Sequence, residues 1–277
     1  MTSKGPGLYS GFGKRASDLL TKDYISDQKF TVTTTSAAGY TITSAAANKG
    51  EISIGEVGAL YKSKNMLLNV NIDTKSNILT TLTFADIIPS TRTIASFNFY
   101  DLDSGKLELQ YFHDHASLSS AIALSQSPMV NVSASVGTPS IAIGVEAGYD
   151  TTARNFTKYS AGVNVTRPDS TASIILGDKG DSVKASYVHH LDQSKNFAAV
   201  AEISRTFSTN ENSVTVGGSY AIDHLTLVKA KLNSYGKLGA VIQHELVPKS
   251  ILTIAGEFDT KSLDKSPKFG LAIALKP

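Results

Sequence analysis

The sequence predicts an all-β fold: a closed transmembrane barrel of about 19 strands, preceded by one short amphipathic helix. Three observations carry this expectation. Apolar and polar residues alternate with period two from about Ser26 to the end of the chain, and turn signals recur at near-even spacing between the alternating runs. Charged residues make up only 18% of the 277 residues, while apolar ones reach just 41%. Soluble domains usually carry about a quarter charged residues. A chain that lowers its charge without raising its apolarity fits a wall with one face in lipid and the other in water.

The helix is expected within residues 8 to 24. Leu8, Phe12, Ala16, Leu19 and Leu20 fall on one helical stripe, with Lys14, Ser17, Asp18 and Lys22 elsewhere around the axis. Gly11 and Gly13 weaken the first turns by about 1 kcal/mol each relative to Ala. The firm part therefore begins near Lys14.

Strand patterns follow. Leu68, Val70 and Ile72 alternate with Asn69, Asn71 and Asp73; Leu107, Leu109 and Tyr111 alternate with Lys106, Glu108 and Gln110. Val130 to Val136, Lys158 to Val165 and Phe269 to Leu275 repeat the arrangement. Turn signals sit between the runs: Asp103-Ser104-Gly105, Pro128, Pro139, Pro168-Asp169, Gly177-Asp178-Lys179-Gly180, Asn210-Glu211-Asn212 and Pro248. At roughly 13 residues per strand plus turn, residues 26 to 277 yield about 19 strands, each long enough to cross a bilayer. Closure removes the edges that would otherwise leave backbone groups unpaired in lipid.

Alternation alone does not separate this barrel from a soluble β-sandwich, whose two faces would be core and solvent. Even spacing, low charge and strand number favour the barrel. No stretch is apolar enough for a spanning helix: Ala116 to Val145, the longest uncharged run, is about half Ser, Thr, Asn, Gln, Gly and Pro. Met1 to Ser10 has no apolar segment of the secretory kind, which argues against Sec export and against a bacterial outer-membrane porin.

The chemical motifs fail one by one. Gly7 to Lys14 lacks phosphate-loop spacing, and Arg15 stands where Ser or Thr is needed. His113-Asp114-His115 has no third clustered ligand and reads as a turn or pore-rim pair; His189 and His190 point to opposite faces of a strand. There is no Gly-x-Ser-x-Gly elbow and no cysteine. A net charge of +2 with dispersed basic residues argues against a nucleic-acid binder. No enzyme, cofactor or metal site is expected.

Four regions resemble the mitochondrial porins, the voltage-dependent anion channels, in their plant branch. Gly5-Pro6-Gly7-Leu8-Tyr9 leading into Gly13-Lys14-x-Ala16-x-Asp18-Leu19-Leu20-Thr21-Lys22-x-Tyr24 resembles the family's N-terminal helix, and Lys29-Phe30-Thr31-Val32 its first strand. Tyr220-x-Ile222-Asp223, Lys229-Ala230-Lys231-Leu232-Asn233-Ser234 and Gly239-Ala240-Val241-Ile242 resemble its late-strand signature. Lys268-x-Gly270-x-x-Ile273-x-Leu275 resembles the last-strand signal read by the mitochondrial barrel-insertion machinery.

The resemblance implies a 19-stranded barrel, the strand number of this family, with the first strand parallel to the last. It implies a segment 1–25 carrying the helix, inside or at the pore, and a barrel over 26–277. It also implies a voltage-dependent, weakly anion-selective channel of the mitochondrial outer membrane that passes ions, phosphate, ATP and ADP. Expected partners are the lipid bilayer, nucleotides in transit, the insertion machinery, further copies of the chain and cytosolic kinases. Lys14, Arg15 and Lys22 on the helix are the expected strongest nucleotide contacts. Lys106, Lys158, Lys229 and Lys231 on polar wall positions favour anions, partly offset by Glu108, Glu146, Glu202 and Glu245.

Two departures matter. The link Asp23-Tyr24-Ile25-Ser26-Asp27 has no glycine, which argues against a freely swinging helix. Leu68, Val70 and Ile72 are all lipid-compatible, so regulation through a lipid-facing carboxylate is not carried over.

Overall fold

The computed structural model describes residues 5–49, 52–192, 194, 196–261 and 267–276. A 3-10 turn, Tyr9–Gly11, precedes one helix, α1 (Lys14–Thr21). The first ten strands are β1 (Gln28–Thr35), β2 (Tyr40–Lys49), β3 (Ile52–Lys62), β4 (Met66–Asp73), β5 (Ile78–Ala85), β6 (Thr91–Asn98), β7 (Asp101–Phe112), β8 (Ala116–Ala123), β9 (Met129–Gly137) and β10 (Ile141–Asp150). The remainder are β11 (Asn155–Thr166), β12 (Ser170–Gly177), β13 (Ser182–His190), β14 (Phe197–Thr206), β15 (Glu211–Ala221), β16 (Thr226–Asn233), β17 (Lys237–Val247), β18 (Ser250–Asp259) and β19 (Lys268–Leu275).

Every strand pairs with its sequence neighbours, and β1 pairs with β19, so one 19-stranded sheet closes on itself. Neighbours in such a meander run antiparallel. With an odd number of strands the first and last must point the same way, and the β1–β19 seam is indeed parallel, Gln28 opposite Leu271 through Val32 opposite Leu275. The link rim, where β1 begins, carries residues 22–27. The opposite rim carries the end of β19.

Local chemistry sets the tight connections. Asp73, Asp150, Asp223 and Asn233 each accept two backbone N–H bonds from the turn that follows them, the Asx-type closure that competes with strand continuation. Asp103-Ser104-Gly105 departs from expectation. It lies inside β7, and the reversal falls at Phe99 and Tyr100. Ser104 Oγ accepts the Asn98 N–H at 3.0 Å and donates to the Asp101 carbonyl at 2.6 Å. The pairing register shifts beside it, between Ser96 and Asn98, so a bulge absorbs the turn residues into the strand.

The helix is shorter than its apolar stripe. Gly13 holds a left-handed φ of 66° at the N-cap, and an added Cβ there would lie 2.9 Å from Ser173 Oγ. That kink separates the 3-10 turn from α1 and lets both press on the wall. At the other end Lys22 is extended and Asp23 itself takes φ 73°, so the link turns without a glycine.

Candidate functional site

The register pairings sort every strand into two faces. Around the whole barrel one face holds the aliphatic set: Leu68, Val70 and Ile72 on β4, Val132 and Ala134 on β9, Ile143 and Val145 on β10, Ile273 and Leu275 on β19. Ile143 is 60% exposed and Ile174 58% exposed on this outer face. A continuous apolar band of this kind is costly in water, at about 25 cal/mol per Å2, and stable in hydrocarbon. The other face is hydroxyl, amide and charge, and it surrounds the lumen. Lys106, Lys158, Lys229 and Lys231 all stand on the lumenal face, as do Lys268 and Gly270.

Residues 5 to 25 lie inside, along the wall. At the opposite rim the Gly7 carbonyl accepts hydrogen bonds from Ser117 Oγ at 2.7 Å and from Ser135 Oγ. Tyr9 and Phe12 pack with Ala142 and Ile175, and the Tyr9 hydroxyl donates to Ser160 Oγ at 3.0 Å. α1 then crosses β13, β14 and β15, burying Ala16 and Leu20 against Val188 and Val200. Near the link rim, Lys231 Nζ donates to the Leu20 carbonyl at 2.8 Å and lies 4.0 Å from the centre of the Tyr24 ring. Lys229 Nζ donates to Asp23 Oδ2 at 2.7 Å. Among the described residues the segment thus follows the wall from β8 round to β19 and makes no hydrogen bond to β1 to β7.

Several wall charges pair with one another. Lys106 pairs with Glu108 at 3.2 Å, Lys158 with Glu146 at 2.7 Å and Lys184 with Glu202 at 2.9 Å. Lys229, its side chain 8% exposed, is held by Asp23, and Lys231 by the Leu20 carbonyl. The helix cations differ. Lys14, Arg15 and Lys22 are exposed to the lumen; Arg15 Nη1 donates to Thr171 Oγ1 at 3.0 Å, and among the described residues none of the three forms an ion pair.

Sequence reasoning missed Tyr9 as a wall contact and Asp23 as the partner of Lys229. A pattern could have pointed to the docking site. β14 reads Phe197-Ala-Ala-Val-Ala201 with both faces apolar, so its lumenal positions Ala198 and Val200 must meet something apolar inside. The Tyr24 hydroxyl is buried with no hydrogen-bond partner among the described residues. An orphaned buried O–H costs about 1–3 kcal/mol. Tyr24→Phe should therefore keep or raise the midpoint of thermal unfolding in detergent, and a clear fall would show that the hydroxyl is satisfied.

A closed sheet that is apolar outside and charged inside, with a helix laid along the interior, defines a pore-type membrane barrel. The eukaryotic porin family model matches residues 5–270, and the chain belongs to that family. The chain is 58% identical to mitochondrial outer membrane protein porin 2 of Arabidopsis thaliana, over 99% of this chain and 100% of that one. Porin 5 of the same description from Oryza sativa subsp. japonica is 54% identical, covering 100% of both. The outer plastidial membrane protein porin of Pisum sativum is 45% identical over 99% of each chain. Family and fold point to a channel, not an enzyme.

Proposed function

We propose that this chain forms a voltage-dependent, weakly anion-selective channel of the mitochondrial outer membrane through which ATP, ADP, phosphate and inorganic ions diffuse. The observation that carries the reading is the division of lumenal charge. Lys106, Lys158 and Lys184 on the wall are each paired with an adjacent carboxylate, whereas Lys14, Arg15 and Lys22 on the helix face the lumen and, among the described residues, form no ion pair. Ions keep their hydration in so wide a passage, so selectivity follows the summed wall potential. A modest cationic excess favours anions without excluding cations. Residues 1–25 act as the lumenal insert and 26–277 as the barrel. Voltage acts on any helix charge that shifts along the field, at about 2.3 kcal/mol per charge per 100 mV. Lys268, Gly270, Ile273 and Leu275 on β19 serve as the insertion signal.

Planar-bilayer recording tests this directly. The wild type should conduct in steps, prefer chloride weakly over potassium in a salt gradient, and fall to lower conductance at high voltage of either sign. Lys14→Glu with Arg15→Glu exchanges two positive charges for two negative ones in the lumen. The reversal potential should move towards cation preference. An unchanged value would remove the helix from the ion path, and protein that inserts without conducting would overturn the channel reading. The plastidial name of the pea relative supports a second address, the plastid envelope. Immunoblotting of purified mitochondria and plastids distinguishes the two.

A further inference from the structure

We propose that the outer face of the barrel, at the link rim over β10 to β14, binds an anionic phospholipid: its phosphate at Arg205, one acyl chain in the groove over β10 and β11. The inference rests on the reading of that face as lipid-exposed.

Arg205 is the first observation. Among the register-paired positions of the described strands it is the one Lys, Arg, Asp or Glu on the outer face, since Val183 and Asn212 are its cross-strand partners. It stands one residue before the end of β14, at the rim. A cation there costs only about 0–1 kcal/mol against about 2–4 at the bilayer midplane. Tolerance therefore does not explain what the side chain does. Its surroundings do. Nη2 donates to Asn210 Oδ1 at 3.1 Å, and the guanidinium carbon lies 5.6 Å from the centre of the Phe207 ring. These contacts fix the plane of the fork. Among the described residues no carboxylate pairs with it. Asp181, nearby in the preceding turn, is occupied by Ser208, whose N–H and hydroxyl both donate to it. A guanidinium has five N–H donors, and those left over match the paired oxygens of a phosphate.

The second observation is independent of the first. An apolar groove of about 420 Å3 runs over the outer face of β9 to β12 and ends at Gly180 in the turn of the link rim. Ala134, Ala147 and Ala161 make its floor; Val145, Tyr159 and Leu176 make its sides. Leu176 pairs with Val183, and Val183 with Arg205, so two strand spacings of about 4.8 Å separate the backbone of the groove wall from that of Arg205. Lys179, in the same turn as Gly180, is a second exposed cation on the link rim. Groove and cations together select an amphiphile with an anionic head. Free phosphate would leave the groove unused, and a zwitterionic head would set its own cation beside Arg205 and Lys179.

The full chain, refolded in zwitterionic detergent, is titrated with phosphatidylglycerol or phosphatidylcholine of identical chains while thermal unfolding is followed. The wild type should be half-saturated by phosphatidylglycerol at a concentration at least tenfold lower. Arg205→Gln with Lys179→Gln should abolish that preference; Ala147→Leu with Ala161→Leu should weaken the response to phosphatidylglycerol by filling the groove. Glycerol phosphate without chains should give no response. Equal responses to the two lipids, a preference that survives the Arg205 variant, or a full response to glycerol phosphate would each overturn the proposal. If the double variant does not refold, Arg205→Lys replaces it: a charge without a fork should lose most of the preference, and full retention would overturn the assignment. The same preparations are recorded in planar bilayers. Conducting protein without lipid preference defeats the lipid site alone, whereas protein that never conducts defeats the pore.

Discussion

Lys229→Met should release the N-terminal segment from the wall, at a cost to the docked state of about 3 kcal/mol. The Lys229 side chain is 8% exposed and Asp23 25% exposed. Removing one member of a buried pair strands the other, which costs about 3–5 kcal/mol, and partial exposure of Asp23 places this pair at the low end. A loss of 3 kcal/mol is a factor of about 150 in the docking equilibrium. Amide exchange of residues 14–21 should accelerate accordingly, with the barrel strands unchanged. Asp23→Leu combined with Lys229→Met removes both charges and should recover much of the protection. Exchange that stays at the wild-type rate in the single variant would show that Leu20, Ala16 and Tyr9 hold the segment without the ion pair.

Gly270→Ala should disrupt the link where its backbone meets the wall. An added Cβ would lie 2.3 Å from the Ile25 carbonyl oxygen and 2.6 Å from its carbon, and both are backbone atoms that cannot rotate away. Overpacking of this kind costs about 1–3 kcal/mol. The clash adjoins the β1–β19 seam, since Leu271 N–H donates to the Asp27 carbonyl there. Refolding yield in pure detergent should drop several-fold. That medium contains no insertion machinery, which separates packing from signal recognition. Normal refolding combined with failed import into mitochondria would make Gly270 a recognition residue instead.

The barrel was legible because its physics is local. Period-two runs such as Leu68-Val70-Ile72 mark a strand with unlike faces, and the strand length needed to cross a bilayer then fixes the count. The β7 turn was misplaced for an equally local reason. Asp103-Ser104-Gly105 has turn chemistry, but Ser104 uses its hydroxyl to support a bulge, and sequence alone does not say which. The lumen was only half legible. Polar-face lysines could be assigned to the inside by parity. Their pairing could not, because Lys158 and Glu146 belong to different strands and meet through register, and Lys229 and Asp23 lie 206 residues apart. Long-range juxtaposition is what the fold adds. Tyr9 was within reach of the pattern, since its spacing to Phe12, Ala16 and Leu20 puts it on the apolar stripe.

The parallel seam has a consequence for the order of assembly. β1 lacks its second neighbour until β19 has been made, so the first strand translated is sealed by the last. The surface that receives α1 belongs to β13, β14 and β15, late in the chain. The N-terminal segment therefore gains its partners stepwise, from Ser117 on β8 to the wall under α1. It can be laid along the wall while the sheet is still an open curl, before the gap shuts beside it. Contacts of such sequence separation make folding slow. A nascent chain stopped before β19 is an open-edged sheet, and the step that joins its two ends is also the one that encloses the helix.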